Sequence, residues 1–274
     1  MNTDPFAGLE DRPELTSQEA LGELLDSAKR GFVPIRNIFV QQPPASPDRS
    51  AALAKLVTGR HERSLDEFLL VHALQPVLNE EPLPLPAWAH LLSTRKKCGP
   101  TTVSKSFGVL EDLQLLTRRR EGRKLIVTPL HEGGEGLEWT RPRSQSTDTG
   151  GYFVLPHQYW TEGYADRLRL PGKAMLLIML KETQGKPVFT MAVERAQQWY
   201  GISERTAERG YAELLNEGLI QTHIQKVPSP RLSPGVLRKI YHRALRGPFA
   251  TDARKQLQDA TTARTRAQQP KGSN

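Results

Sequence analysis

A single shift relates the two halves of this chain. Moving the sequence by 104 residues lays Thr102 on Thr206, Lys105 on Arg209, Phe107 on Tyr211, Leu110 on Leu214 and Leu115-Leu116 on Leu219-Ile220. The first helix of each half comes into register under the same shift. Agreement of helix, turn, helix and strand without a gap predicts two copies of one module of about 70 residues. The 274 residues leave room for both copies and for tails.

Apolar spacing sets out the elements of each copy. Residues 1–15 read as unstructured, and Thr16-Ser17-Gln18-Glu19 reads as a capping box opening a short helix on Leu21, Leu24 and Leu25 that stops at Gly31. Gly31 to Ile35 reads as extended, and Gln41 to Asp48 as a proline-bearing linker. From Ser64, the stripe Leu65, Phe68, Leu69, Val71, His72 and Leu74 predicts a helix ending before Pro76. A short helix with Trp88, Leu91 and Leu92 then leads to Lys97-Cys98-Gly99. Pro100 suits the first position of a helix through Val103, Phe107, Leu110 and Leu113. Two strands, Leu116 to Arg120 and Lys124 to Pro129, flank the turn Glu121-Gly122-Arg123.

The second copy repeats this grammar. Gly151-Tyr152-Phe153-Val154-Leu155-Pro156 resembles the lead-in at Gly31; an apolar helix over 171–182 and a helix over 191–200 ending at Gly201 follow. Ile202 makes the turn, and Ser203 caps a helix carrying Ala207, Tyr211, Leu214 and Leu215. A strand over Leu219 to Val227, a turn-rich stretch from Pro228 to Pro234 and a strand over Val236 to Leu245 complete the copy. The expected organisation is an arm with a short helix and linker over 1–63, a first module over 64–130, a linker over 131–150, a second module over 151–247, and a basic tail over 248–274, unstructured or marginally helical.

The stretch Gln198 to Ile220, with Gly201-Ile202-Ser203, Thr206 and the exit Leu214 to Gly218-Leu219-Ile220, is similar to the turn and exit of MarR-like and GntR-like winged helix-turn-helix regulators. The first copy departs from that pattern: Lys97-Cys98-Gly99 replaces Gly201-Ile202-Ser203, and Gln114 replaces Gly218. The resemblance implies a mainly α fold with small β-hairpin wings, arranged as two tandem winged helix-turn-helix domains with flexible terminal segments. In this register Cys98 is an apolar plug in the turn rather than a redox sensor.

Charge points to the partner. The chain carries a net +8, and its last 54 residues hold 11 basic against 2 acidic side chains. Such an excess favours nucleic acid or an anionic surface. With Ala207, Tyr211 and Leu214 inward, Arg205 and Arg209 face outward beside Ser203 and Thr206; the first copy offers Thr101, Thr102, Ser104 and Lys105. These are the expected contacts to base edges and phosphates of double-stranded DNA. The first wing adds Arg118, Arg119, Arg120, Arg123 and Lys124, and the second adds Lys226, Arg231, Arg238, Lys239 and Arg243.

Other classes find little support. A single cysteine leaves no internal disulfide or multi-cysteine zinc site, and the seven histidines lack metal-ligand spacing. No cofactor and no catalytic constellation are expected, and no run approaches the ~18–20 apolar residues of a membrane span. The expectation is a cytoplasmic, nucleoid-associated DNA-binding protein, a repressor by first reading, with dimerisation allowed but not required and the effector unspecified. The alternatives are an initiator of plasmid or phage replication, which the aromatic-x-x-[Ile/Leu]-Pro lead-in resembles, and a winged-helix scaffold binding acidic protein partners.

Overall fold

The computed structural model describes residues 14–28, 30–93, 97–142, 150–229 and 237–268; within them helices dominate and the strands form three small antiparallel sheets. The expected disorder of residues 1–13 and the placement of Arg231 lie outside the described residues.

The first half opens with α1 (Ser17–Ser27), where Thr16 Oγ1 accepts from the Glu19 amide and Glu19 accepts from the Thr16 amide, 2.8 Å, closing the expected capping box. Then come β1 (Phe32–Arg36), α2 (Ala52–Thr58), α3 (Glu62–Glu80), α4 (Leu85–Leu91) and α5 (Pro100–Asp112), followed by the hairpin β2 (Leu116–Glu121) and β3 (Lys124–Pro129). The second half holds β4 (Tyr152–Pro156), the single turns α6 (Gln158–Thr161) and α7 (Tyr164–Arg167), α8 (Leu170–Glu182), β5 (Phe189–Thr190), α9 (Ala196–Tyr200), α10 (Glu204–Asn216), β6 (Ile220–Pro228) and β7 (Leu237–Leu245). Helix α11 (Thr251–Gln268) follows.

The internal repeat reappears in the element boundaries. Helices α5 and α10 differ by 104 residues at both ends, and β2 and β6 begin 104 residues apart. Even the departure in the first copy keeps its backbone: Gln114 has φ 55° and Gly218 has φ 69°, both left-handed exits from a helix. Cys98 and Ile202 are buried in the two equivalent turns, and burial pushes the Cys98 thiol pKa up, in keeping with a packing role.

Several expectations need correction. Helix α3 does not stop before Pro76 but runs through it to Glu80. Phe68, Leu69, Leu70, Val71, Ala73, Leu74 and Leu78 are buried on all sides of this helix, and at ~1.5–3 kcal/mol per large apolar side chain that burial outweighs the ~3 kcal/mol cost of an interior proline. Helix α4 ends at Leu91, six residues earlier than Lys97; Ser93 Oγ bridges the gap by donating to the Ala89 carbonyl (2.6 Å) and accepting from the Cys98 amide (2.8 Å). The described parts of the proposed arm on either side of the Gln41 to Asp48 linker are core: Leu21, Leu25, Ile35, Phe39, Leu53 and Leu56 are buried, whereas Gln42 to Asp48 is irregular and holds no buried residue. Part of the expected second linker is also fixed, because Arg36 bonds Glu132 (2.6 Å) and the Thr140 carbonyl (2.7 Å). The tail forms α11, anchored by a buried Arg254 that donates to the carbonyls of Phe249, Leu180 and Thr183.

The two halves share one hydrophobic core. Their lead-in strands pair with each other, β1 antiparallel to β4 with Pro34 opposite Val154. Across the same junction Lys173 on α8, only 2% exposed, grips Asp66 on α3 at 2.6 and 2.8 Å, with Glu62 at 3.3 Å. Burial pushes the Asp66 carboxyl up to about 6 against the pull of that ammonium. Close packing of α8 on α10 depends on Gly210, where a Cβ would collide with Met175 and the Pro171 carbonyl.

Candidate nucleic-acid interface

Helix α10 starts where Gly201, at φ 68°, turns the chain out of α9, Ile202 plugs the corner and Ser203 Oγ accepts from the Thr206 amide at 3.2 Å. Burial of Ala207, Tyr211 and Leu214 then forces Arg205 and Arg209 outward, and both are exposed without an ion pair among the described residues. In α5, burial of Val103, Phe107 and Leu110 leaves Thr101, Thr102 and Lys105 exposed.

These two outward faces border neighbouring grooves. One, of about 470 Å³, is lined by Thr102 and Lys105 of α5 together with Arg60, Glu62, Arg63 and Arg169. The other, of about 740 Å³, is lined by Ser203, Arg205, Thr206 and Arg209 with the same Arg60 and Glu62. Arg60, Arg63 and Arg169 escaped the sequence reading because they sit at helix starts outside any basic run. Their signal was weak: each immediately precedes or opens an apolar helix, α3 or α8.

The cations of the two hairpins divide into free groups and staples. Side chains alternate along β2, so Arg118 lies on the inner side opposite Val127 and turns onto α5. It bonds Glu111 at 2.5 Å and the Ser104 carbonyl at 2.5 Å, which takes both Arg118 and Ser104 out of the set of open DNA contacts. Arg119 pairs with Glu121 in an exposed bridge and Lys124 stands 3.9 Å from Glu81, whereas Arg120 and Arg123 are exposed and unpaired among the described residues.

In the second hairpin Arg243 is also structural. It is 9% exposed and lies 3.7 Å over the Tyr211 ring, clamping the middle strand β7 onto α10. Lys226 faces Lys239 directly across β6 and β7, both exposed, with Arg238 on the neighbouring pair. Like charges opposite one another destabilise a hairpin and are relieved by an anion. Ile224 and Tyr241, paired on the same face, are 48% and 39% exposed. Nine residues per strand give this hairpin a reach of roughly 30 Å.

The remaining aromatic and histidine side chains are mainly packed. Trp88 and Trp160 are buried, Trp199 is partly buried, and Trp139 stands edge-on to His72. His223 and His242 oppose each other across β6 and β7, His242 bonding Thr190 and Gln225. Among the described residues no cluster of His, Cys, Asp or Glu could hold a metal ion, and no helix is long and apolar enough to cross a membrane. The chain matches no protein-family model and no curated protein.

Proposed function

We propose that this chain binds double-stranded DNA sequence-specifically as a pair of winged helix-turn-helix modules, and that it acts as a transcriptional regulator of the repressing kind. One observation carries the reading: the outward faces of α5 and α10, with Lys105, Arg205 and Arg209, border adjoining grooves that share Arg60 and Glu62. A helix presented in this way fits the major groove, where arginine grips guanine through two hydrogen bonds. The opposed Lys226 and Lys239 and the free Arg120 and Arg123 supply phosphate contacts on either side.

Selection of bound fragments from random and genomic duplex DNA, followed by titration across salt concentrations, tests this. Arg205→Ala with Arg209→Ala is expected to relax sequence preference, each good bidentate contact being worth about 1–3 kcal/mol. Arg120→Ala with Arg123→Ala is expected to weaken all duplexes alike and to lower the salt slope by about 2. No selected sequence, or no change in either pair of variants, overturns the reading.

The pairing of the two lead-in strands favours one second reading, initiation of replication, since the initiator resemblance rests on those same lead-ins. Reiterated sites in the selected fragments would mark it; isolated sites beside promoters would mark the regulator.

A further inference from the structure

Away from both grooves, and sharing no lining residue with them, lies a cavity of about 270 Å³ between β1, α3 and the segment that carries Trp139. Its lining combines two kinds of surface. Phe32, Pro34 and Pro76 provide apolar walls, while His72, Trp139, Arg30 and Arg141 provide hydrogen-bonding groups and positive charge.

Two buried polar atoms of this cavity, His72 Nε2 and Trp139 Nε1, have no partner inside the fold. His72 is 5% exposed, and its Nδ1 lies 2.8 Å from the Phe68 carbonyl, so Nδ1 carries the hydrogen and donates. Burial keeps the ring neutral, which leaves Nε2 as a bare acceptor; it has no partner. The Trp139 indole N–H is buried without an acceptor, and its ring sits edge-on to His72 with centroids 6.0 Å apart. Proline at position 76 offers the His72 carbonyl no amide hydrogen. Leaving such groups unpaired in a buried site is costly, and a ligand that pairs them recovers that cost. Neither Arg30 nor Arg141 has an ion-pair partner among the described residues, and burial without a counter-charge lowers the Arg30 pKa.

We propose that this cavity binds a small planar organic carboxylate, its ring against Phe32, Pro34 and Pro76, its polar edge on His72 Nε2 and the Trp139 N–H, and its carboxylate between Arg30 and Arg141. The unpaired donor and acceptor demand a molecule that can both accept and donate. Flat apolar walls exclude a bare inorganic anion as the best fit, and the two arginines exclude a cation. The volume lies at the small end of ligand sites, which suits a single substituted ring. The site stands independently of the DNA-binding reading.

The full chain is titrated by calorimetry and by tryptophan fluorescence with orotate, whose ring both donates and accepts, and with nicotinate and benzoate, whose rings carry no N–H donor, with nicotinamide, benzamide and inorganic phosphate as controls. Orotate is expected to saturate with a Kd below about 1 mM and to outbind the other carboxylates and the amides about tenfold, and Arg141→Gln and Trp139→Phe are each expected to weaken it about tenfold. Arg141→Gln is partly exposed, so it decides the matter alone if Trp139→Phe melts early. Three outcomes overturn the proposal: no carboxylate saturating by about 10 mM, binding indifferent to both variants and therefore seated on another basic surface, or phosphate binding as tightly as the carboxylates.

Discussion

Glu67 offers the sharpest test of how the first module is held. Its carboxyl is fully buried on α3, Oε1 lies 2.6 Å from Ser106 Oγ, and Oε2 has no partner. Burial pushes its pKa up to about 9, with Asp66 adding to the rise and Ser106, Arg63 and Arg118 opposing it. At neutral pH the acid is therefore protonated. Ser106 Oγ, the donor to Oε1, also lies 2.9 Å from the Thr102 carbonyl in the first turn of α5, so its hydroxyl links the two helices. The folded pKa lies above the ordinary 4.5, so the folded chain keeps a proton that the unfolded chain gives up. This contribution to stability is complete below pH 4.5 and is lost as pH rises towards about 9. At about 1.4 kcal/mol per pH unit, Glu67→Gln, which cannot ionise, should match the parent near pH 5 and exceed it by about 3 kcal/mol at pH 7. Urea denaturation of both proteins at pH 5, 6, 7 and 8 measures the gap; parallel stability curves across that range would refute a buried neutral acid.

Three further substitutions probe other parts of the fold. Lys173→Met should destabilise by about 3–5 kcal/mol in denaturant melts, because it strands two carboxylates at the junction of the halves, and Asp66→Asn should recover part of that loss in the double variant. Gln114→Gly should stabilise by about 0.5–1 kcal/mol and raise Tm in calorimetry, since glycine accepts the φ of 55° without steric strain. Arg254→Ala should cost about 1–3 kcal/mol by removing the hydrogen bonds that its guanidinium donates to the Phe249, Leu180 and Thr183 carbonyls, with faster amide exchange along α11 as its signature.

Local signals were legible in the sequence wherever the physics is local. The capping box at Thr16, the proline opening α5, the Ser203 cap and the spacing of Val103, Phe107 and Leu110 each settle an element from neighbouring residues alone. Long-range partners were not legible. Charge counting cannot distinguish Arg120, which reaches solvent, from Arg118, two residues earlier, which finds Glu111, because that choice depends on how far α5 extends beneath the hairpin. Arg243 was hidden for the same reason, its partner Tyr211 being an aromatic face rather than a charge. Pro76 misled because its local cost is visible in the sequence and the burial that offsets it is not. Of the candidate site, the outward faces of α5 and α10 were readable; the cations Arg60, Arg63 and Arg169, supplied by the packing of one half against the other, were not.

Pairing of β1 with β4 makes the halves inseparable in a particular sense. Each lead-in strand finds its hydrogen-bonding partner only in the other half, so a severed half would present a bare sheet edge beside the apolar surface of α3 or α8. Two intact copies hold the same complementary ends, and exchanging them would rebuild every native contact between chains instead of within one. An intertwined dimer of this kind needs no new surface, only an opening of the join that already exists.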